Sequence, residues 1–360
     1  TAPIEVIYKR TDSLGTWPFL CQHIHCMLKP INRGGLLLPG LQLWFDPRKS
    51  KPFAVVSHAH GDHVANHDCY LATPETIALI RVRNGNALAM RGKALPYGEV
   101  YQGEGFRLQF YPAGHVLGSA MARVETDAGE TFLYTGDFKT RKGLSAEAID
   151  IPQADTIVME TTFGRSDYVF PDFEETCQRI HAFCDRANVE KKTPVLLAYS
   201  LGKAQELMKI IESRTQALMV YKTIASLNQV YASFGVSMPQ TRPLDFLNMS
   251  ESLVVMPPSV LNKLPRKDCL VAMVSGWGMN DSAKYRYGVD EVIPLSDHAD
   301  YPDLLKFVDA VKPRAVYTTH GYEKEFAATL RQRGYEAWSL SGDDQLELSL
   351  IHISEPTRRN

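Results

Sequence analysis

A chain of 360 residues with 44% apolar content has room for two compact domains, or for one domain with a large insertion. Its formal net charge of −2 excludes a uniformly basic, nucleic-acid-coating protein, so any phosphate binding must be local. No apolar run reaches the length of a membrane span, and six cysteines, mostly far apart and without a secretory signal, point to reduced thiols in the cytoplasm rather than a disulfide framework.

In chain order, the first thirty or so residues show no clear element. Cys21, His23, His25 and Cys26 invite a zinc reading. Four ligands so close together do not easily close a tetrahedron, however, and structural zinc sites use two spaced pairs, so no metal is expected there. The chain opens on Thr1 rather than methionine, and its natural start is expected upstream. An apolar strand over Phe53–Val56 runs into Ser57-His58-Ala-His60. Thr73-Pro74 signals the start of a helix over Ala72–Arg83. Strands over Phe106–Tyr111, Thr131–Tyr134 and Thr156–Met159 run into Ala113-Gly114-His115, Gly136-Asp137 and Glu160-Thr-Thr-Phe-Gly164. Amphipathic helices are predicted over Asp172–Ala187 and Lys203–Ser213, the second following a strand over Pro194–Tyr199 and a Ser200-Leu-Gly202 turn. Val292–Leu295 leads to Ser296-Asp297-His298, a helix covers Tyr301–Val311, and Arg314–Tyr317 leads to Thr318-Thr-His320-Gly321. The tail Leu348-Ser-Leu-Ile-His-Ile-Ser-Glu-Pro-Thr-Arg358 resembles the translation of a sequencing-library adaptor. Residues 348–360, His352 included, are therefore not expected to belong to the fold.

Each residue able to do chemistry is thus expected just past the carboxyl end of a strand, where such sheets gather their loops into sites. The order of elements, strand-rich and then alternating, predicts a mixed α/β sandwich with two sheets inside and helices outside. Well over a hundred residues separate Glu160 from His298, enough for an inserted domain.

The sharpest signal is His58-Ala-His60-Gly-Asp62-His63. Neutral imidazoles and carboxylates ligate zinc and similar divalent ions. In extended chain, positions two apart face the same way, so His58 and His60 can grip one ion. Asp62 and His63, after the Gly61 turn, can point at a second. His115 is the candidate to complete the first set, Asp137 to bridge both ions, and His320 to complete the second. Two ions about 3.5–4 Å apart acidify water and neutralise charge on a phosphoryl oxygen. The leaving oxygen still needs a proton, for which His298 is the candidate general acid, with Glu160 hydrogen-bonded to it and favouring its imidazolium form. Asp62 is counted among the catalytic residues as well as the ligands. Asp46, in Trp44-Phe-Asp-Pro47, is a candidate to orient a ligand histidine; the competing reading is a turn-forming Asp-Pro. Ser200, Gly202 and Lys203 are expected to contact substrate phosphate, because free amides at a helix start favour an anion and Lys203 adds a charge. The plainer alternative is a strand-to-helix turn capped by Ser200. Trp277 and Tyr199 are candidates to stack on a base, with at least one expected in core packing instead.

Together, Asp46, the His58–His63 motif, His115 and Asp137 resemble the four metal motifs of the metallo-β-lactamase fold. Glu160, His298 and His320 resemble the three further motifs of its β-CASP branch, which acts on nucleic acid. That branch includes the endonuclease of messenger-RNA 3′-end cleavage, bacterial ribonuclease J and the Artemis-type DNA repair nucleases. Histidine at the third of these motifs, as at His320, is the pattern of the RNA-processing members; the Artemis type carries valine. Leu71-Ala-Thr-Pro-Glu-Thr76, Leu95-Pro-Tyr-Gly-Glu99, Pro112-Ala-Gly-His-Val-Leu-Gly-Ser119, Ser275-Gly-Trp277 and Leu295-Ser-Asp-His-Ala-Asp300 are similar to the bacterial ligase-associated DNA exonuclease subfamily.

The resemblance covers roughly residues 36–345. It implies an αββα metallo-β-lactamase sandwich over 31–168 and 290–347, with an inserted α/β β-CASP domain over 169–289. It further implies two zinc ions, with manganese as the alternative, and a nuclease acting on single-stranded DNA or RNA, either a DNA exonuclease of repair or an RNA-processing enzyme. An ATP-dependent DNA ligase and a helicase are implied partners, and no membrane is. Rival readings use the same site differently. A thioester or lactam hydrolase needs neither a large insertion nor a Glu160/His298 pair. A di-iron oxidoreductase usually carries glutamate where His60 stands. A non-catalytic scaffold tends to lose ligands, whereas every motif is filled here.

Overall fold

The computed structural model describes residues 28–279 and 282–340; the cysteine–histidine group at 21–26 and the tail from 348 lie outside them. Two sheets face each other. The first holds six strands in chain order, Ile31–Asn32, Leu36–Leu38, Leu43–Phe45, Phe53–Val55, Cys69–Ala72 and Gly92–Ala94. The second holds seven, ordered from Glu336–Ser339 through Ala315–Gly321, Thr156–Thr161, Thr131–Tyr134, Ala120–Thr126 and Phe106–Pro112 to Val100–Gly103.

Side-chain alternation along the strands builds the layers. Leu38, Phe45, Val55 and Leu71 meet Leu108, Phe110, Val124, Phe132 and Val158 between the sheets. Burying each such side chain contributes about 1.5–3 kcal/mol. The alternate positions Met121, Leu133, Ile157 and Val316 face outward onto helices Tyr301–Val311 and Glu323–Gln332 through Leu304, Phe307 and Phe326. On the far side, Ala54, Val56, Tyr70 and Ala72 pack on helices Pro74–Asn84 and Lys222–Ser233 through Ile77, Ile80 and Tyr231. The result is an αββα sandwich. Among the described residues no helix is long and apolar enough to cross a membrane.

The segment after Thr161 builds a third sheet, ordered Arg242–Pro243, Ala217–Val220, Ser252–Met256, Thr193–Leu197, Cys269–Val274 and Glu291–Ile293, with every neighbouring pair parallel. Parallel pairing needs crossovers and burial on both faces. Helices Phe173–Val189 and Lys203–Ile210 cover one face, and Val260, Leu264, Ala283 and Val289 cover the other. Glu291–Ile293 is the last strand of this sheet, paired in parallel with Cys269–Val274.

Where the chain crosses between the two bodies, Arg141 donates to the Pro171 carbonyl at 2.9 Å and to Asp300 Oδ2 at 2.6 Å. Phe170 N donates to the same carboxylate at 3.0 Å, and Tyr301 N to the Tyr168 carbonyl at 3.1 Å. A second junction is buried: Lys139 Nζ lies 3.3 Å from Glu206 Oε1, and Glu206 Oε2 accepts from Leu144 N, Ser145 N and Ser145 Oγ.

Candidate metal centre

Strand Phe53–Val55 delivers His58, His60 and His63 to the edge where Phe106–Pro112 delivers His115 and Thr131–Tyr134 delivers Asp137. The approach is close. At Gly136, with φ +54, an added Cβ would stand 2.6 Å from Ser57 Oγ, so this turn is open to glycine alone.

One ligand atom each from His58, His60, His115 and Asp137 falls within 4.8 Å of the others. Hydrogen bonds decide which ring nitrogens are bare. His115 Nδ1 is 2.7 Å from the Asp297 carbonyl oxygen, and His60 Nε2 is 3.3 Å from that of Leu201. A carbonyl only accepts, so these nitrogens carry the protons. Ser57 Oγ directs its hydrogen at Asp46 Oδ2 and accepts from His58 Nδ1 at 3.0 Å. His58 Nε2, His60 Nδ1 and His115 Nε2 are thereby left as lone pairs. His60 Nδ1 stands 3.0 Å from both of the others. Lone pairs facing each other at this distance repel unless a cation lies among them, so the donor set fits a divalent ion of the zinc type. Asp137 Oδ2 is 3.5 Å from His58 Nε2 and 3.5 Å from His63 Nε2, between this group and the next.

Electrostatics favours the ligand forms. Burial and the neighbouring imidazoles hold His58 well below its ordinary pKa, and burial with His298 takes His115 down to about 3. Burial opposes ionisation of Asp137, but His63 outweighs it and holds the carboxyl well below the usual range. His63 is pulled down by burial and lifted further by Asp137 and Asp46, ending well above its ordinary value; a cation in the cluster reverses that balance.

His63 Nδ1 donates to Asp46 Oδ2 at 2.7 Å. Asp46, at φ +43, also accepts from Ser57 N at 2.8 Å and Tyr134 Oη at 2.9 Å. The second set is looser. Asp62 Oδ2 is 3.6 Å from His63 Nε2 but its side chain is 66% exposed, and the His320 ring centroid lies 5.6 Å from that of His63. The tight groups among the described residues include neither.

Glu160 and His320, expected just past the ends of strands, lie instead inside Thr156–Thr161 and Ala315–Gly321. Register between those strands slips at Glu160/Thr161, a bulge of the kind that re-aims a side chain. It leaves His320 at φ +59, with its amide donating to Glu323 Oε1 at 2.8 Å. Glu160 is buried, accepts from Phe138 N at 2.8 Å, and lies 2.8 Å from His298 Nδ1. Burial lowers the His298 pKa, but Glu160 outweighs it, with Asp137 and Asp297 adding, and pushes it up to about 9.

Comparison with known proteins agrees. Residues 284–339 match the family model described as a Zn-dependent metallo-hydrolase RNA specificity domain. The chain is 42% identical over 331 residues to a protein of Opitutus terrae named Probable DNA ligase, covering 90% of this chain and 32% of that protein. It is 36% identical over 126 residues to the transcription termination factor FttA of Methanothermobacter thermautotrophicus, covering 33% and 19% of the two chains. It is 23% identical over 257 residues to the DNA cross-link repair 1A protein of Gallus gallus, covering 66% and 26%. The chain belongs to the metallo-β-lactamase-fold β-CASP family. It spans about a third of the Opitutus terrae protein. The fold recurs in a crystal structure of a protein of unknown function from Enterococcus faecalis, with a TM-score of 0.55 at 15% identity over 79% of this chain and 78% of that one.

In this β-CASP protein a cavity of about 580 Å³ opens over the cluster, walled by His60, Asp62, His63 and His298 on one side and Tyr199, Lys203 and Trp277 on the other. The three residues expected at phosphate do not form an open anion cradle. The Gly202 amide is taken by Gln205 Oε1 at 2.7 Å, Ser200 Oγ pairs with Thr223 Oγ1 at 2.9 Å, and Lys203 Nζ is buried 2.5 Å from Asp297 Oδ1. The helix satisfies its own first amides, and the lysine charge is matched. Trp277 packs on Phe163 with ring centroids 4.8 Å apart while still lining the cavity, and Tyr199 is 47% exposed at the rim. Sequence reasoning missed Arg83, which lines the cavity on the side of Asp62 without an ion pair among the described residues. It missed Ser57, Tyr134 and Asp297 as supports of the ligands, although Ser57 and Asp297 each stand beside a motif residue. It also missed Leu201, whose contribution is a carbonyl that any residue carries.

Proposed function

We propose that the protein is a two-zinc phosphodiesterase that cleaves nucleic acid, with single-stranded DNA as substrate and a place in DNA repair. One observation carries this reading: three bare imidazole nitrogens converge beneath an open cavity whose wall holds the Glu160–His298 pair. In this reading His58, His60, His115 and Asp137 hold one ion, and Asp62, His63, Asp137 and His320 the other. When bound, such ions supply Lewis acidity that acidifies water and offsets charge on a phosphoryl oxygen. Manganese suits the same nitrogen and oxygen donors. Asp46 keeps the His63 ring in place. Glu160 holds His298 Nδ1, so that Nε2 can hand its proton to the leaving oxygen.

The names of the relatives, a DNA ligase and a DNA cross-link repair protein, support DNA; the family model's RNA specificity description favours RNA as the second reading. A region like this one within a protein named DNA ligase supports an ATP-dependent ligase as partner, and a helicase follows from the family resemblance alone. The free thiols of Cys69, Cys177, Cys184 and Cys269 suit the cytoplasm. We read the third sheet with its helices as the β-CASP domain and the sandwich on either side of it as the metallo-β-lactamase domain. A small-molecule hydrolase has no use for a second body walling the cavity.

End-labelled DNA and RNA of matched sequence, incubated with zinc- or manganese-loaded and with chelated protein, test the reading. Metal-dependent shortening of DNA, lost in His58→Ala, is expected. Cleavage that survives chelation or His58→Ala would end it, and preference for RNA would move the substrate to the second reading.

A further inference from the structure

A turn of the third-sheet body reaches into the metal cluster, touching one of its histidines directly and a second by way of Asp297. The Leu201 carbonyl oxygen is 3.3 Å from His60 Nε2. Two residues on, Lys203 Nζ lies 2.5 Å from Asp297 Oδ1, with the two side chains 5% and 11% exposed. The carbonyl of that same Asp297 is 2.7 Å from His115 Nδ1. Between them Gly202 sits at φ +82, where an added Cβ would lie 2.3 Å from Val116 Cγ1, beside His115. The turn is therefore pressed onto the ligand loop without room for a side chain.

A buried ion pair costs so much desolvation that it is weak evidence for stability on its own. What this pair positions is more telling. His60 and His115 each present a bare nitrogen to the cluster only because a carbonyl takes the proton on the opposite side of the ring. One of those carbonyls belongs to the turn, and the other belongs to the residue that Lys203 grips.

Resting on the two-cation reading above, we propose that Lys203 is a positioning residue. Together with Leu201 it holds His60 and His115 in ligand-ready form, so that this turn of the third-sheet body, rather than the junction as a whole, sets the zinc affinity of the first cation site. The molecule contains its own comparison. Lys139–Glu206 joins the same helix to the same sandwich and is equally buried, but it makes no hydrogen bond to a ligand histidine.

The full chain, stripped with chelator, is titrated with Zn2+ against a chromophoric competitor, and Co2+ absorption reports ligand geometry. Wild type should take up two equivalents. Lys203→Met should weaken one of them by about 10–100-fold, the usual effect of removing a residue that orients a ligand, leave the other unchanged, and alter the Co2+ spectrum. Asp297→Asn keeps its carbonyl but loses the charge pair; it should act in the same direction, and it carries the test if Lys203→Met does not fold. Lys139→Met/Glu206→Gln should leave both equivalents as in wild type. Unchanged Zn2+ affinity in the folded Lys203 or Asp297 variant would overturn the proposal, and so would an equal loss in the Lys139/Glu206 control. Wild type that binds no Zn2+ at all would instead remove the two-cation reading beneath it.

Discussion

Asp46 gathers Ser57 N, Ser57 Oγ, His63 Nδ1 and Tyr134 Oη onto one carboxylate, three of the four on Oδ2. Asparagine is no substitute, because its amide would aim hydrogens at donors. Asp46→Asn should lose about 10–100-fold in zinc affinity and about 1–3 kcal/mol of stability through unsatisfied buried groups, read by competitor titration and urea denaturation. His298 makes a pH prediction. Its pKa is raised to about 9, so the proton donor is present below that value and lost as pH rises through it. The basic limb of kcat/KM should lie near there, and Glu160→Gln, removing the anion that lifts the pKa, should move it to lower pH. Arg83 lines the cavity near Asp62 and makes no ion pair among the described residues. Arg83→Ala should raise KM with kcat little changed and flatten the salt dependence of single-strand binding by about 0.7 in log–log slope. The clustering of His58, His60, His115 and Asp137 was legible because metal chemistry demands particular side chains at particular spacings. The Asp297 partner that matches the Lys203 charge lies 94 residues away, which no local pattern reveals.

The paired strands Thr156–Thr161 and Ala315–Gly321 aim both Glu160 and His320, and the bulge between them is the reason neither sits where strand-end logic put it. Gly321, at φ +72, lies so close that a Cβ would meet Thr161 O and Thr162 Cα at 2.4 Å. Gly321→Ala should therefore cost about 1–3 kcal/mol and weaken the zinc equivalent that includes His320, while the equivalent held by His58, His60 and His115 persists. Denaturant titration alongside the zinc competition would show a single uniform loss if this local account were wrong. The helix Tyr301–Val311 was readable from its start signal to the residue, and the one expected over Ala72–Arg83 runs Pro74–Asn84. The apolar runs Ser252–Met256 and Cys269–Val274 were not, since a short buried strand and a buried helical segment share the same composition.

For the molecule as a whole, the sandwich followed from element order, and the insertion followed from the length between Glu160 and His298. How the two bodies lock together did not, because each contact joins residues remote in sequence. Glu206 shows the strength of that lock. Glu206→Ala would strand Lys139 and three donors in a buried junction. A loss of about 3–5 kcal/mol is expected, measurable as a lower denaturation midpoint with little sensitivity to ionic strength.

The outgoing and homeward chains meet under Arg141, so the two covalent links to the third-sheet body run side by side. Paired links invite exchange, because a foreign module with neighbouring termini can be grafted between Phe170 and Ser296, provided it also covers the face that helix Lys222–Ser233 packs on. The graft would take away the carbonyl of Leu201 and the ammonium of Lys203. A graft that brought no equivalents would loosen the hold on zinc even where the sandwich stays covered.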